Sequence, residues 1–137
     1  MLLDQIISPL QQTKVSPSDK KTLIILQSDD YQSDLVQKTL SGIAKALGLS
    51  LEQDIELFLF ERDQPTNLGS VMHNFEKVLI FGVNPRQIGL QIDAKIYKIY
   101  MFENFKLTIA HPLSTIANDI KTKQVLWKIL QNMYGLA

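Results

Sequence analysis

The stretch Thr22-Leu23-Ile24-Ile25-Leu26 decides the fold. It is an unbroken apolar run, too short for an ordinary helix and without alternation, as expected of a strand buried on both faces. Such a strand is central, and the flanking sequence supplies its neighbours. Polar residues Gln27 to Gln32 form a loop, after which Ser33 can cap a helix with the stripe Leu35, Val36, Leu40, Ile43, Ala44 and Leu47, stopped by Gly48. Residues 55–60 (Ile-Glu-Leu-Phe-Leu-Phe) read as a second strand, closed by the turn residues Asp63, Pro65 and Asn67, with a short helix expected over 67–74.

A third buried strand, 77–81, runs into Gly82-Val83-Asn84-Pro85, which turns the chain at a strand's C-terminal end, where open α/β sheets place their sites. Two further strands are expected at 97–102 and 105–109, with Glu103-Asn104 as a tight hairpin turn; alternation puts the first in an outer position. Ser114 or Thr115 is placed to cap a long final helix with the stripe Ile116, Ile120, Leu126, Trp127, Leu130, Met133 and Tyr134, ended by Gly135. This rhythm predicts a three-layer α/β/α sandwich with a mainly parallel central sheet.

The 137 residues suit one core, with 45% hydrophobic and 20% charged residues placing the chain among globular proteins. Residues 1–20 form a separate segment and 21–137 the α/β domain. In the first segment Leu2, Leu3, Ile6, Ile7 and Leu10 recur at helical spacing, Ser8-Pro9 interrupts them, and a polar linker with Ser16-Pro17 follows. Such an arm either packs its apolar side on its own domain or docks into a partner's groove. No apolar run approaches the ~20 residues of a membrane span, and no leader pattern precedes the domain. A cytoplasmic protein without a membrane partner is expected.

Fourteen basic and fourteen acidic residues cancel, so the chain lacks the basic excess that releases counterions from a phosphate backbone; nucleic acid is expected to be an indirect partner at most. Lys20 and Lys21, and the set Lys121, Lys123 and Lys128, read as solvated faces. With no cysteine and two histidines, disulfides and thiolate metal sites are excluded, and neither a cofactor nor a metal is expected. His73 reads as a solvated surface residue. His111 opens His111-Pro112-Leu113-Ser114 just after a strand, and Asn84 stands at the end of another.

Those two rim motifs resemble the uracil-DNA glycosylase superfamily, in which a Gly-x-x-Pro loop carries an Asp or Asn that positions water and a later His-Pro-Ser-type loop supplies a histidine for charge developing on the base. The resemblance implies roles for Asn84 and His111 in a nucleobase glycosylase or an inactive relative. A second resemblance spans residues 22–54 and 105–134. Thr22 to Asp30, the helix 35–47 and Leu49 to Asp54 are similar to the first strand, first helix and following loop of the psi subunit of bacterial DNA polymerase III. Pro112, Leu113-Ser114, Lys123 and Leu126-Trp127 are similar to that family's Pro-containing loop and final helix. This resemblance implies a fold like that of the glycosylases and a non-catalytic role in DNA replication. It makes clamp-loader subunits and a chi-like subunit the partners, the arm Leu2, Leu3, Ile6, Ile7 and Leu10 contacting the clamp loader and the folded domain holding chi. Trp127 is then first a packing residue, with an interface anchor as the alternative. Self-association of the domain is a third expectation.

Overall fold

The computed structural model describes residues 20–64 and 66–136. The arm residues Leu2, Leu3, Ile6, Ile7 and Leu10, and Pro65 of the expected turn, lie outside the described residues. The chain is an α/β fold with a five-stranded, mostly parallel mixed sheet flanked by helices. Strands β1 (Thr22–Gln27), β2 (Ile55–Phe60), β3 (Lys77–Phe81) and β5 (Lys106–Ala110) run parallel, while β4 (Ile99–Met101) pairs antiparallel with β5. The sheet order is β2-β1-β3-β5-β4. Leu23, Ile24, Ile25 and Leu26 are wholly buried, as the unbroken apolar run requires of a strand with neighbours on both sides.

Between β1 and β2, a single turn α1 (Ser28–Tyr31) occupies the expected loop and leads into α2 (Asp34–Ala46), where the Ser33 side chain accepts from Val36 N–H. After β5 come α3 (Leu113–Ala117) and α4 (Ile120–Tyr134). Helices α2, α3 and α4 bury Val36, Leu40, Ala44, Leu113, Ile116, Leu126, Leu130 and Met133 against Ile24, Leu26, Leu79 and Phe81 on one sheet face. The other face packs Leu23, Ile25, Val78, Ile80, Leu107 and Ile109 against Leu68, Met72, Phe75, Val83 and Ile88. These last residues come from the connections flanking β3, which carry 3-10 turns at Met72–Asn74 and Pro85–Ile88.

Three elements differ from expectation. The helix expected over 67–74 contracts to the turn Met72–Asn74 because Asn67 Oδ1 accepts Gly69 N–H and Leu68 N–H donates to Ile88 O, fixing the chain before a helix can start. The strand expected from Tyr97 begins at Ile99, since Tyr97 sits in the left-handed region at φ +61°, which strand pairing excludes. The long final helix is two helices, and neither Ser114 nor Thr115 caps it: Pro112 precedes α3, and Asp119 caps α4 by accepting from Lys121 N–H and Thr122 Oγ1. That hydroxyl bond is the main reason the Asp119 carboxyl is held below the usual carboxylate range. An Asn118-Asp119 pair competes for helical backbone groups and restarts the helix. The break swings Ile120 out of the core stripe to 72% exposure.

At the opposite end of α4 the Tyr134 and Thr22 hydroxyls lie 3.0 Å apart, tying the last turn to the start of β1. Burial pushes the Tyr134 phenol up to about 12, the Thr22 bond opposing the shift. Lys20 pairs with Glu56 in a partly buried contact, and Lys21 with Glu76 in an exposed one of small energetic weight.

Candidate functional site

Strands β3 and β5 are parallel neighbours in the register Phe81 opposite Ala110, so the loops after them leave the sheet side by side. Gly82 N–H extends the ladder to Ala110 O at 2.9 Å, and Gly82 then turns away at φ +72°. A Cβ on Gly82 would stand 2.8 Å from Pro112 Cγ and 3.0 Å from its Cα, so the two loops pack backbone against ring. Only glycine meets both demands. Asn84 and His111, 27 positions apart in sequence, therefore line one cleft of about 600 Å3, together with Pro85, Arg86, Asp93 and Pro112. That volume lies within the range of small-molecule sites.

The polar groups at this rim are already partnered. Asn84 Oδ1 accepts from Arg86 N–H and Gln87 Oε1 accepts from Asn84 N–H, both at 3.0 Å, a reciprocal cap on the turn Pro85–Ile88. What Asn84 retains for a ligand is the amide donor. Arg86 is held by Asp93 at 2.6 Å. The Tyr97 hydroxyl lies 2.9 Å from His111 Nδ1 and accepts His111 N–H at 3.4 Å. We assign the phenol proton to Nδ1, an assignment under which neutral His111 is the Nε2–H tautomer. Burial raises the Tyr97 phenol above its ordinary value, with the bond from His111 opposing it, so the hydroxyl stays protonated in this role at neutral pH. The cleft thus holds donors, the Asn84 amide and the Arg86 guanidinium, beside the Asp93 carboxylate as an acceptor.

Tyr97 and the Gln27 clamp were not evident as site residues in the sequence. Gln27, at the end of β1, donates from Nε2 to Gly82 O at 2.7 Å, and its Oε1 accepts from Arg62 Nε and Nη2. This crosses the point where the connection from β1 departs toward β2 and that from β3 toward β5, the crevice where such sheets bind ligands. A polar residue ending an apolar strand was the available hint. His73 is exposed, as read from sequence, and no cluster of three or more metal-ligating side chains exists among the described residues.

A second concavity, apolar and about 280 Å3, lies between α2 and α4. Thr39, Gly42, Ile43 and Ala46 form one wall, Lys123, Leu126, Trp127 and Leu130 the other, and Ile116 of α3 also lines it. Leu126 is buried, whereas Trp127 is half-buried and packs on the core while lining this groove. Comparison with protein-family models, curated proteins and solved structures finds no match to this chain.

Proposed function

We propose that this chain is a non-catalytic adaptor of the DNA replication machinery, resembling the psi subunit of DNA polymerase III, that joins clamp-loader and chi-like partners. One observation carries the reading. The two stretches bearing the resemblance, 22–54 and 105–134, are distant in sequence yet supply α2, α3 and α4, which share one sheet face and enclose the groove beside Trp127. An adaptor needs such a continuous surface, with an aromatic anchor and apolar neighbours. At the rim, by contrast, the Asn84 carbonyl that a water-positioning role would use already caps a turn. The arm Leu2, Leu3, Ile6, Ile7 and Leu10 serves a second contact in this reading, and the three-layer, uracil-DNA-glycosylase-like sandwich is its fold.

Affinity capture of the tagged chain at native expression level tests it. Clamp-loader or chi-like subunits should be recovered, and Trp127→Ala should reduce recovery of the subunit held by the domain. Recovery of the chain alone would sink the proposal.

A second reading, a nucleobase glycosylase or pocket-keeping relative, draws on the convergence of Asn84 and His111 on one cleft, with His111 Nδ1 paired to the Tyr97 hydroxyl. It requires release of uracil or a damaged base from DNA, with turnover lost in His111→Ala. Turnover indifferent to that substitution removes His111 from any mechanism.

A further inference from the structure

The chain is neutral as a whole, but its charge is divided. Residues 35–46, 113–117 and 120–134, the bodies of α2, α3 and α4, carry five lysines and no Asp or Glu, which leaves nine basic against fourteen acidic residues in the rest of the chain. All five, Lys38, Lys45, Lys121, Lys123 and Lys128, are exposed, and among the described residues none forms an ion pair. Only Asp34, in the first turn of α2, and Asp119, the cap of α4, bring acidic groups to this layer of helices. The helices themselves do not account for the lysines. Lys121 and Lys123 stand at the N-terminal end of α4, where positive charge opposes the helix dipole and the first turn holds no acid to balance them.

Three of the five lie around the apolar groove between α2 and α4. Lys123 lines it, one turn before Trp127. Lys38 and Lys45 stand four residues before and three after Gly42, and so share the strip of α2 on which Gly42 forms the groove's edge. Glycine inside a helix costs stability relative to alanine, yet a Cβ at Gly42 would meet nothing within 4 Å, so no neighbour among the described residues demands the gap. At about 280 Å3 the hollow is smaller than an ordinary small-molecule site and suits one or two side chains. An apolar anchor fits its interior, and carboxylates fit its margins.

We propose that this groove takes a short acidic segment of a partner protein, with a large apolar side chain seated against Leu126, Trp127 and Leu130 and carboxylates paired with Lys38, Lys45 and Lys123. This occupant rests on the adaptor reading for the choice of the groove as a contact. A single-stranded nucleic acid is the poorer match. Its bases need aromatic platforms, whereas Trp127 is the one aromatic residue in walls that are otherwise mainly aliphatic, and it is itself half-buried in core packing. The rest of the chain, acidic on balance, would repel a long polyanion, while a short peptide meets only the lysines.

Trp127 is the sole tryptophan and lines the groove, so its emission reports occupancy. The probe is a synthetic peptide, Glu-Glu-Leu-Phe-Glu-Glu, titrated beside Gln-Gln-Leu-Phe-Gln-Gln and Glu-Glu-Ala-Ala-Glu-Glu. Only the first should change the emission saturably, and salt should weaken it by screening the exposed lysines. Lys123→Glu should lower its affinity about tenfold, because an attraction becomes a repulsion. Lys98→Glu, the same charge change at an exposed position before β4, should leave it unaltered. Gly42→Leu fills the hollow without crowding the core and should abolish binding in a folded protein. Silence toward the acidic peptide, or an equal response to its glutamine counterpart, overturns the proposal. So does salt-sensitive binding of a single-stranded oligodeoxynucleotide in preference to the peptide and lost in Gly42→Leu, which would give the groove to nucleic acid. A silent titration alongside Trp127-dependent capture of a clamp-loader or chi-like subunit sinks the acidic occupant and leaves the adaptor reading; saturable peptide binding alongside failed capture leaves the occupant and sinks the replication role.

Discussion

The rim cleft and the helix groove differ in what their side chains are already doing. At the rim, Asn84, Arg86, Gln27 and His111 look reactive, yet each holds a neighbouring part of the chain: a turn, a carboxylate, a loop carbonyl, a tyrosine hydroxyl. In the groove the residues look inert, yet Gly42 meets nothing where a Cβ would stand, and Trp127 is only half-covered. Reactive residue types are thus no guide to available function in this molecule. The rim groups are engaged in local contacts at or near the surface, whereas incompletely covered apolar surface is itself a driving force for association.

The comparison is most easily broken at Gly82. Gly82→Ala places a Cβ at positive φ against the Pro112 ring, and we expect a loss of about 2–4 kcal/mol in denaturant unfolding from left-handed strain plus overpacking. A change below 0.5 kcal/mol, taken as roughly the level of an ordinary surface substitution, would show that the rim loops do not hold one another as described.

On the groove side, Tyr134→Phe strips Thr22 of a part-buried partner and should cost about 1–2 kcal/mol. The same tyrosine gives a pH test. Its folded value, about 12, lies above the ordinary value of 10.0, so its contribution is fully present below pH 10 and is lost as pH rises from there through about 12. Stability of the parent should therefore fall more steeply across that window than stability of Tyr134→Phe; parallel curves would contradict the burial of the phenol.

Tyr97→Phe sharpens the rim description at a smaller cost of about 1 kcal/mol. Nitrogen chemical shifts of neutral His111 should report the Nε2–H tautomer in the parent and a mixture in the variant. The Nδ1–H form in the parent would reverse the assigned direction of the Tyr97 bond. Gly42→Ala is the mildest test, with a gain of about 0.5–1 kcal/mol expected in denaturant unfolding, since a Cβ there meets nothing within 4 Å. No gain would contradict the open space found beside Gly42.

Much of the fold is legible locally. Strands β1, β2 and β3 follow from the apolar runs at 22–26, 55–60 and 77–81, and α2 follows from Ser33 and its stripe. The outer position expected for the strand near 97–102 agrees with β4 at the sheet edge, and the hairpin at Glu103-Asn104 with the antiparallel pairing of β4 and β5. The errors occur where a local conformation competes with the pattern: Asp119 restarts the final helix, Asn67 pre-empts another, and Tyr97 takes a left-handed backbone conformation while its hydroxyl pairs with His111. Hydrophobic spacing places Ile120 on the core stripe because it cannot register a helix break two residues long.

Sequence alone determined the strands β1, β2 and β3 and the helix α2, because apolar periodicity and capping act over a few residues. It also determined that Gly82 and His111 stand at strand ends. Tertiary structure alone decided that β3 and β5 are neighbours, that Asn84 and His111 share a cleft, that Tyr97 orients the histidine, and that α2 and α4 leave a groove beside Gly42. Those outcomes depend on strand order and register between residues far apart in the chain, and no local pattern records such pairings.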